Sequence, residues 1–125
     1  MPFFSVIIPV YEGESTIEET LRSVTSQSFT DYEILLVNDG STDATVSLLR
    51  SFKKAHPQRD ITLIEQDNRG LGAARNAAIQ AATGKYCVLL DADDLWKPEK
   101  LEVLHQEIIR HEPAMLYHPV VTFGL

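Results

Sequence analysis

The chain of 125 residues has one cysteine, Cys87, so it can form no internal disulfide, which suits a reducing compartment. Cys87 lies within an apolar stretch and reads as a small core residue. Basic residues are scarce: 11 Lys and Arg stand against 18 Asp and Glu, giving a net charge of −7 and no electrostatic footprint for nucleic acid. No apolar run approaches the length of a membrane helix. No basic region precedes the first apolar stretch, which stops at Pro9, so no signal peptide is expected. Repeats and low-complexity segments are absent. The 4 histidines, His56, His105, His111 and His118, lack metal-ligand spacing and read as surface or packing residues.

What is present is an ordinary globular composition, 44% hydrophobic and 23% charged, at a length that suits one domain. A chain of this size buries roughly two-thirds of its unfolded surface, enough for a core without covalent staples.

Strand and helix signals alternate along it. Phe4 to Tyr11 is β-branched and apolar, and Pro9 near its end limits ladder hydrogen bonding. Ser15-Thr16-Ile17-Glu18 has the spacing of a capping box and predicts a helix start, with Ile17, Leu21 and Val24 on one face. Tyr32 to Val37 predicts a second strand, running into the turn residues Asn38-Asp39-Gly40-Ser41-Thr42-Asp43. Within that turn Asp43 reads as a cap for the helix carrying Val46, Leu49 and Phe52. Ile61 to Glu65 predicts a third strand. An alanine-rich helix follows Asp67-Asn68-Arg69-Gly70, and Gly84 is expected just past its end. Tyr86 to Leu90 is a fourth, fully apolar strand. Pro98 suits the first turn of a last helix marked by Leu101, Leu104 and Ile108. Met115 to His118 starts a fifth strand, with Pro119 at an edge or an end.

Such alternation through short connections implies an α/β fold, a mostly parallel sheet with right-handed crossovers and helices on both faces. Parallel strands place their carboxyl ends on one rim, where open α/β sheets bind ligands. In this chain each of those ends is chemically unusual: Tyr11-Glu12, Asn38-Asp39, Asp67-Asn68-Arg69 and Asp91-Ala92-Asp93-Asp94. The last is the most concentrated. Acids so close raise one another's pKa unless a cation sits among them, and hard oxygen donors suit Mg²⁺ or Mn²⁺. The plainer reading is a solvated acidic turn capping a helix.

Two families fail on detail. Gly70-Leu71-Gly72-Ala73-Ala74-Arg75 imitates the dinucleotide fingerprint, but its third small position is Arg75 and it follows the third strand rather than the first. A phosphorelay receiver has this length and alternation. It needs acids after the first strand, a phosphorylated Asp after the third and a Lys after the fifth, and it stands only as a distant alternative.

The motifs Ser5-Val6-Ile7-Ile8-Pro9-Val10-Tyr11, Val37 to Asp43, Asn68-Arg69-Gly70 with Ala74-Arg75-Asn76, and Leu90 to Asp94 occur in the order and spacing of the family 2 glycosyltransferases with the GT-A fold. The chain resembles that family over nearly its whole length. The resemblance implies a GT-A-like Rossmann-type sandwich, a nucleotide-sugar donor (most often a UDP-sugar) and metal-assisted transfer with inversion to a saccharide, lipid or protein acceptor. It places Pro9 and Tyr11 in the base pocket and Asp39 on the uracil N3–H. Arg69 and Arg75 fall near the base and diphosphate, and Asp91 on the ribose. Asp93, with Asp94 beside it, falls on a Mg²⁺ or Mn²⁺ ion in an Asp-x-Asp element. Two positions depart from the family: Glu12 stands where Asn is usual, and Asn38 where Asp is usual. A uracil edge has a donor at N3, which a carboxylate reads, and a diphosphate among acids needs a cation.

An inverting transfer also needs a general base for the acceptor hydroxyl, and in the family it is a carboxylate beyond the Asp-x-Asp strand. After Glu112 this chain has no carboxylate. The base is therefore expected beyond Leu125, and no catalytic residue is assigned within the chain. Residues 1–125 are expected to form one domain, the donor-binding half without its acceptor-binding half. A catalytically incomplete nucleotide-sugar-binding fragment is the alternative, and self-association through uncovered surfaces is expected. Nucleotide-sugar supply favours a cytoplasmic site, at the inner face of the membrane in a longer protein.

Overall fold

The computed structural model describes residues 1–111 and the backbone of Val120–Thr122. The elements are β1 (Phe4–Val10), α1 (Ile17–Thr25), β2 (Tyr32–Asp39), α2 (Thr45–Ala55), β3 (Ile61–Gln66), α3 (Leu71–Ala81), β4 (Tyr86–Leu89), α4 (Lys100–Arg110) and β5 (Val120–Thr122). The strands lie in the order β3-β2-β1-β4-β5, and every adjacent pair is parallel.

The continuous apolar runs read as buried strands for a simple reason: both sheet faces are covered. Phe4, Val6, Ile8, Ile34, Leu36 and Val88 point to one side, packed against Ile17, Leu21 and Val24 of α1, Leu49 of α2 and Leu101, Leu104 and Ile108 of α4. Ile7, Leu35, Val37, Cys87 and Leu89 point to the other, where Ala74 and Ala78 of α3 are fully buried against them. Small side chains let α3 sit close to the sheet. Burying each valine, leucine, isoleucine or phenylalanine stabilises by roughly 1.5–3 kcal/mol relative to exposure, and Cys87 lies among them as a smaller core residue. Its burial, with the Glu33 charge nearby, pushes the thiol pKa up, as expected of a core residue.

Three local expectations change. The capping box does not form: the first turn of α1 closes through the amides of Thr16 and Ile17 onto the Gly13 carbonyl (3.1 and 2.9 Å), and no side chain caps it. The Thr16 hydroxyl donates instead to the Ala92 carbonyl (3.0 Å). Gly84 is not the helix's left-handed terminator, since α3 ends in the extended Ala82. A Cβ on Gly84 would lie 2.5 Å from Ser5 Oγ and 2.7 Å from Ser5 N, so glycine is required there by close approach to β1. Pro98 lies in the turn before α4, where its carbonyl accepts the Ser28 amide (2.9 Å). The Asp43 carboxylate does accept the Thr45 amide (2.9 Å) at the start of α2. The fifth strand lies beyond Pro119, at the sheet edge beside β4. Met115 to His118, with the expectation attached to them, fall outside the described residues. So does Leu125, beyond which the general base is expected.

Among the histidines, His56 Nδ1 meets the Phe52 carbonyl (2.8 Å), His105 packs on the rings of Phe3 and Phe29, and His111 lies 3.7 Å from Glu107. His118 lies outside the described residues. No helix among the described residues is long and apolar enough to cross a membrane.

Candidate functional site

The chain steps from β1 outward to β2 and β3, then crosses the other face through α3 to place β4 on the opposite side of β1. That reversal opens a crevice at the carboxyl ends of the strands. There the rim residues close a cavity of about 230 Å³ lined by Pro9, Tyr11, Asp39, Asn68, Gly70 and Leu71, among others. Tyr11 is 53% exposed, so its ring is not consumed by core packing and stands at the cavity mouth. Larger open hollows exist elsewhere. One of about 530 Å³ lies at the amino ends of the strands, but its Arg59 is already tied to the Tyr32 hydroxyl (2.7 Å) and the Thr25 carbonyl (3.2 Å).

Asp39 is the best-anchored charge of the cavity. It ends β2 and is 3% exposed. Its Oδ1 accepts from Gln66 Nε2 and the Arg69 amide, and its Oδ2 from the Gly70 amide, each at 2.9 Å. A carboxylate offers about four acceptor positions, so one on Oδ2 remains unused by these bonds. Burial is the largest single influence on this carboxyl and would raise its pKa. The donors from Gln66, Arg69 and Gly70, with the Arg69 charge, outweigh it and hold the pKa below the ordinary value. Asp39 is thus a buried anion kept ionised by its neighbours. Gly40 beside it adopts φ +73°, and a Cβ there would lie 2.5 Å from the Asn68 amide, so the turn can press against the cavity wall only as glycine.

The acidic loop follows β4. The Asp94 amide bonds the Asp91 carbonyl (3.0 Å), closing a turn. From α1, the Thr20 hydroxyl lies 2.8 Å from both the Ala92 and Asp94 carbonyls, and Thr16 joins it at Ala92. These hydroxyls thereby hold the loop through its backbone carbonyls rather than through its carboxylates. Asp91 accepts from Arg75 Nη2 (3.3 Å) in a half-exposed ion pair, while the Arg75 Nε is buried without a partner. Asp93 is exposed and Asp94 half-buried. Burial lowers the Lys100 pKa, and the Asp94 charge opposes that shift, which places Asp94 in the field of Lys100. Among the described residues no three His, Cys, Asp or Glu side chains form a metal cage.

The structure therefore brings Pro9, Tyr11 and Asp39 into one cavity and pairs Arg75 with Asp91. Arg69 contributes its amide to Asp39, while its side chain is exposed. Gln66 and Leu71 are not among the expected site residues, and Asn68 stands only within a rim motif without a role of its own. Gln66 could have been found, since it is the last residue of a strand whose end lies on the rim. Leu71 gave no signal beyond helix periodicity. The two departures also acquire places. The Glu12 carboxylate bonds the β2–α2 turn, and Asn38 Oδ1 accepts the Ser41 amide (3.2 Å).

Comparison with known proteins agrees with this geometry. Residues 5–124 match the family described as Glycosyl transferase family 2. The chain is 41% identical over 101 residues to the glycosyltransferase TuaG of Bacillus subtilis, an overlap covering 81% of this chain and 40% of that protein. It superposes on Staphylococcus aureus TarS 1–349 in complex with UDP with a TM-score of 0.81 at 32% identity, covering 88% of this chain and 33% of that one. It superposes equally on a Pyrobaculum calidifontis mannosyltransferase in complex with GDP-Man and Mn²⁺, with a TM-score of 0.81 at 34% identity, covering 86% and 32%. The chain spans less than half the length of each.

Proposed function

The chain belongs to glycosyltransferase family 2, and from that premise we propose that its rim cavity binds a nucleotide-sugar donor, a UDP-sugar, for inverting transfer to an acceptor hydroxyl. The observation that carries this reading is the buried Asp39, with an acceptor position to spare, in one cavity with the exposed Tyr11. A flat base can stack on Tyr11 while its imide N–H donates to Asp39, and the carboxylate, already ionised, needs no rearrangement to receive it. Relatives in complex with UDP and with GDP-Man support a nucleotide-sugar as the ligand class.

In this reading Asp91 takes the ribose hydroxyls, supported by its ion pair with Arg75 (3.3 Å), which orients the carboxylate. The exposed Asp93 offers the hard oxygen donor that a divalent cation needs. A preformed cage is not required, because Mg²⁺ is commonly bound through one or two carboxylates together with water and substrate phosphates. When bound, Mg²⁺ or Mn²⁺ would neutralise the diphosphate and stabilise charge on the departing nucleoside diphosphate. The acceptor hydroxyl attacks the anomeric carbon from the face opposite the nucleotide as the bond to the nucleoside diphosphate breaks, giving inversion, and its proton goes to a general base that is not assigned within this chain. The share of each relative that the chain spans favours a second reading, that the chain binds the donor without transferring it alone.

Calorimetric titration of UDP and GDP, with Mn²⁺ and with chelator, tests this on the wild type and Asp93→Ala. Metal-enhanced UDP binding is expected, with the enhancement lost in Asp93→Ala. Absence of UDP binding under every condition, or a preference for GDP, would overturn the reading. Sugar transfer by this chain alone would sink the second reading.

A further inference from the structure

The two loops that continue the cavity walls are laced together beyond it. Among the described residues Glu12 is the one non-glycine residue at positive φ, +50°. That conformation crowds the Cβ of glutamate against the following carbonyl and persists only where the surroundings hold it. Here they do. The Glu12 amide donates to Ser41 Oγ (2.9 Å). Its Oε1 accepts from the Thr42 hydroxyl (2.6 Å) and the Thr42 amide (3.2 Å), and its Oε2 from the Asp43 amide (3.2 Å). The Gly13 amide follows with a bond to Thr45 Oγ1 (2.9 Å). Glu12 directly follows Tyr11, and Ser41 to Asp43 follow Asp39 and Gly40. The lacing therefore ties the segment that carries Tyr11 to the segment that carries Asp39.

We propose that Glu12 is a positioning residue for donor binding: its carboxylate locks the β1–α1 loop onto the β2–α2 turn and so holds the Tyr11 ring over the base site. The proposal rests on the reading of the cavity as a nucleotide site. It has a corollary for the phosphates. The loop amides of Thr42 and Asp43 are taken by Glu12, and the first amide of α2, that of Thr45, is taken by the Asp43 carboxylate, so none of the three is open to an anion. The donor's diphosphate is left to the other side of the crevice, where Arg75 and Asp93 stand.

The test is a double-mutant cycle on UDP affinity with Glu12→Ala, Tyr11→Ala and their combination. Each single change is expected to weaken binding about tenfold, and the pair scarcely more than either, because both remove the same placed ring. A merely structural Glu12 gives additive losses. Glu12→Gln, which keeps an oxygen for Thr42, should recover affinity to within about threefold of wild type. Glu12→Gly removes the carboxylate and the backbone crowding together, so it keeps the test sound if the alanine variant folds poorly, and it should still lose affinity. Additive losses, or unchanged UDP binding by Glu12→Gly beside a wild type that binds, overturn the role of Glu12 alone. A wild type that does not bind UDP overturns the cavity reading and this proposal with it.

Discussion

Two buried carboxylates sit at opposite ends of β2, on the α3 face of the sheet, and both are 3% exposed. Glu33, at the amino end, accepts from Ser5 Oγ (3.0 Å), from the Thr83 amide (2.8 Å) and from the Thr83 hydroxyl. Ser5 in turn accepts the Gly84 amide (2.8 Å). Asp39, at the carboxyl end, accepts the Arg69 and Gly70 amides that lead into α3, besides Gln66. One strand thus pins both ends of α3 with acids. At the Glu33 end every bond goes to stitching the turn after α3 onto the sheet. Acceptor capacity is left over at both ends, since all three bonds to Glu33 fall on its Oε2, but at the Asp39 end the bonds come from a wall of the cavity. A buried, hydrogen-bonded acid with acceptor capacity to spare therefore says little about function by itself, and what separates the two is whether a cavity lies beside it.

The largest effects expected are those that remove either acid. Asp39→Ala and Glu33→Ala each strand buried donors and should lower stability by about 3 kcal/mol. Only Asp39→Ala should also abolish UDP binding. Chemical unfolding and titration of both variants check this, and equal loss of binding in Glu33→Ala would erase the contrast between the two ends.

A second pair applies the same contrast to glycines. Gly84→Ala and Gly40→Ala both force a Cβ to within 2.5 Å of a neighbour, Ser5 Oγ in the first case and the Asn68 amide in the second. Each should destabilise by about 1–3 kcal/mol through overpacking, more for Gly40 because of its positive φ. UDP affinity should fall in Gly40→Ala, whose clash moves a cavity wall, and hold in Gly84→Ala. Melting curves read the first effect and calorimetry the second.

The smallest effect is in acid. The Asp39 pKa is lowered in the folded chain, so its ionisation adds stability that is fully present above the ordinary carboxylate value of about 4 and lost as pH falls through the lower folded value. The stability gap between wild type and Asp39→Asn should therefore narrow as pH drops below about 4, read by denaturant unfolding at a series of pH values. A constant gap would mean that the donors to Asp39 do not favour its charge.

Much of this was legible in the chain itself. Apolar runs without alternation announced strands buried on both faces, and polar residues at each run's end announced the rim, because parallel strands necessarily bring their carboxyl ends together. The family motifs singled out Pro9, Tyr11 and Asp39, which share one cavity, and Arg75 and Asp91, which form an ion pair. Less legible were side chains whose partners are remote. Ser15-Thr16-Ile17-Glu18 spelled a local cap, yet Thr16 and Thr20 turned to the acidic loop, 76 and 72 residues away from Ala92. Gly84 spelled a helix terminator but serves packing against Ser5.

The amino-acid sequence by itself determined the order of elements, which faces of them are apolar, and the placing of acids and glycines at strand ends. These follow from periodicity and backbone preference acting over a few residues. Only the tertiary structure decided which donors each carboxylate received: that Asp39 anchors the start of α3, that Glu33 closes its far end, and that Glu12 laces two loops. Such bonds join atoms dozens of residues apart, and they form because a buried polar group must find a partner among whatever the packed sheet and helices bring within reach.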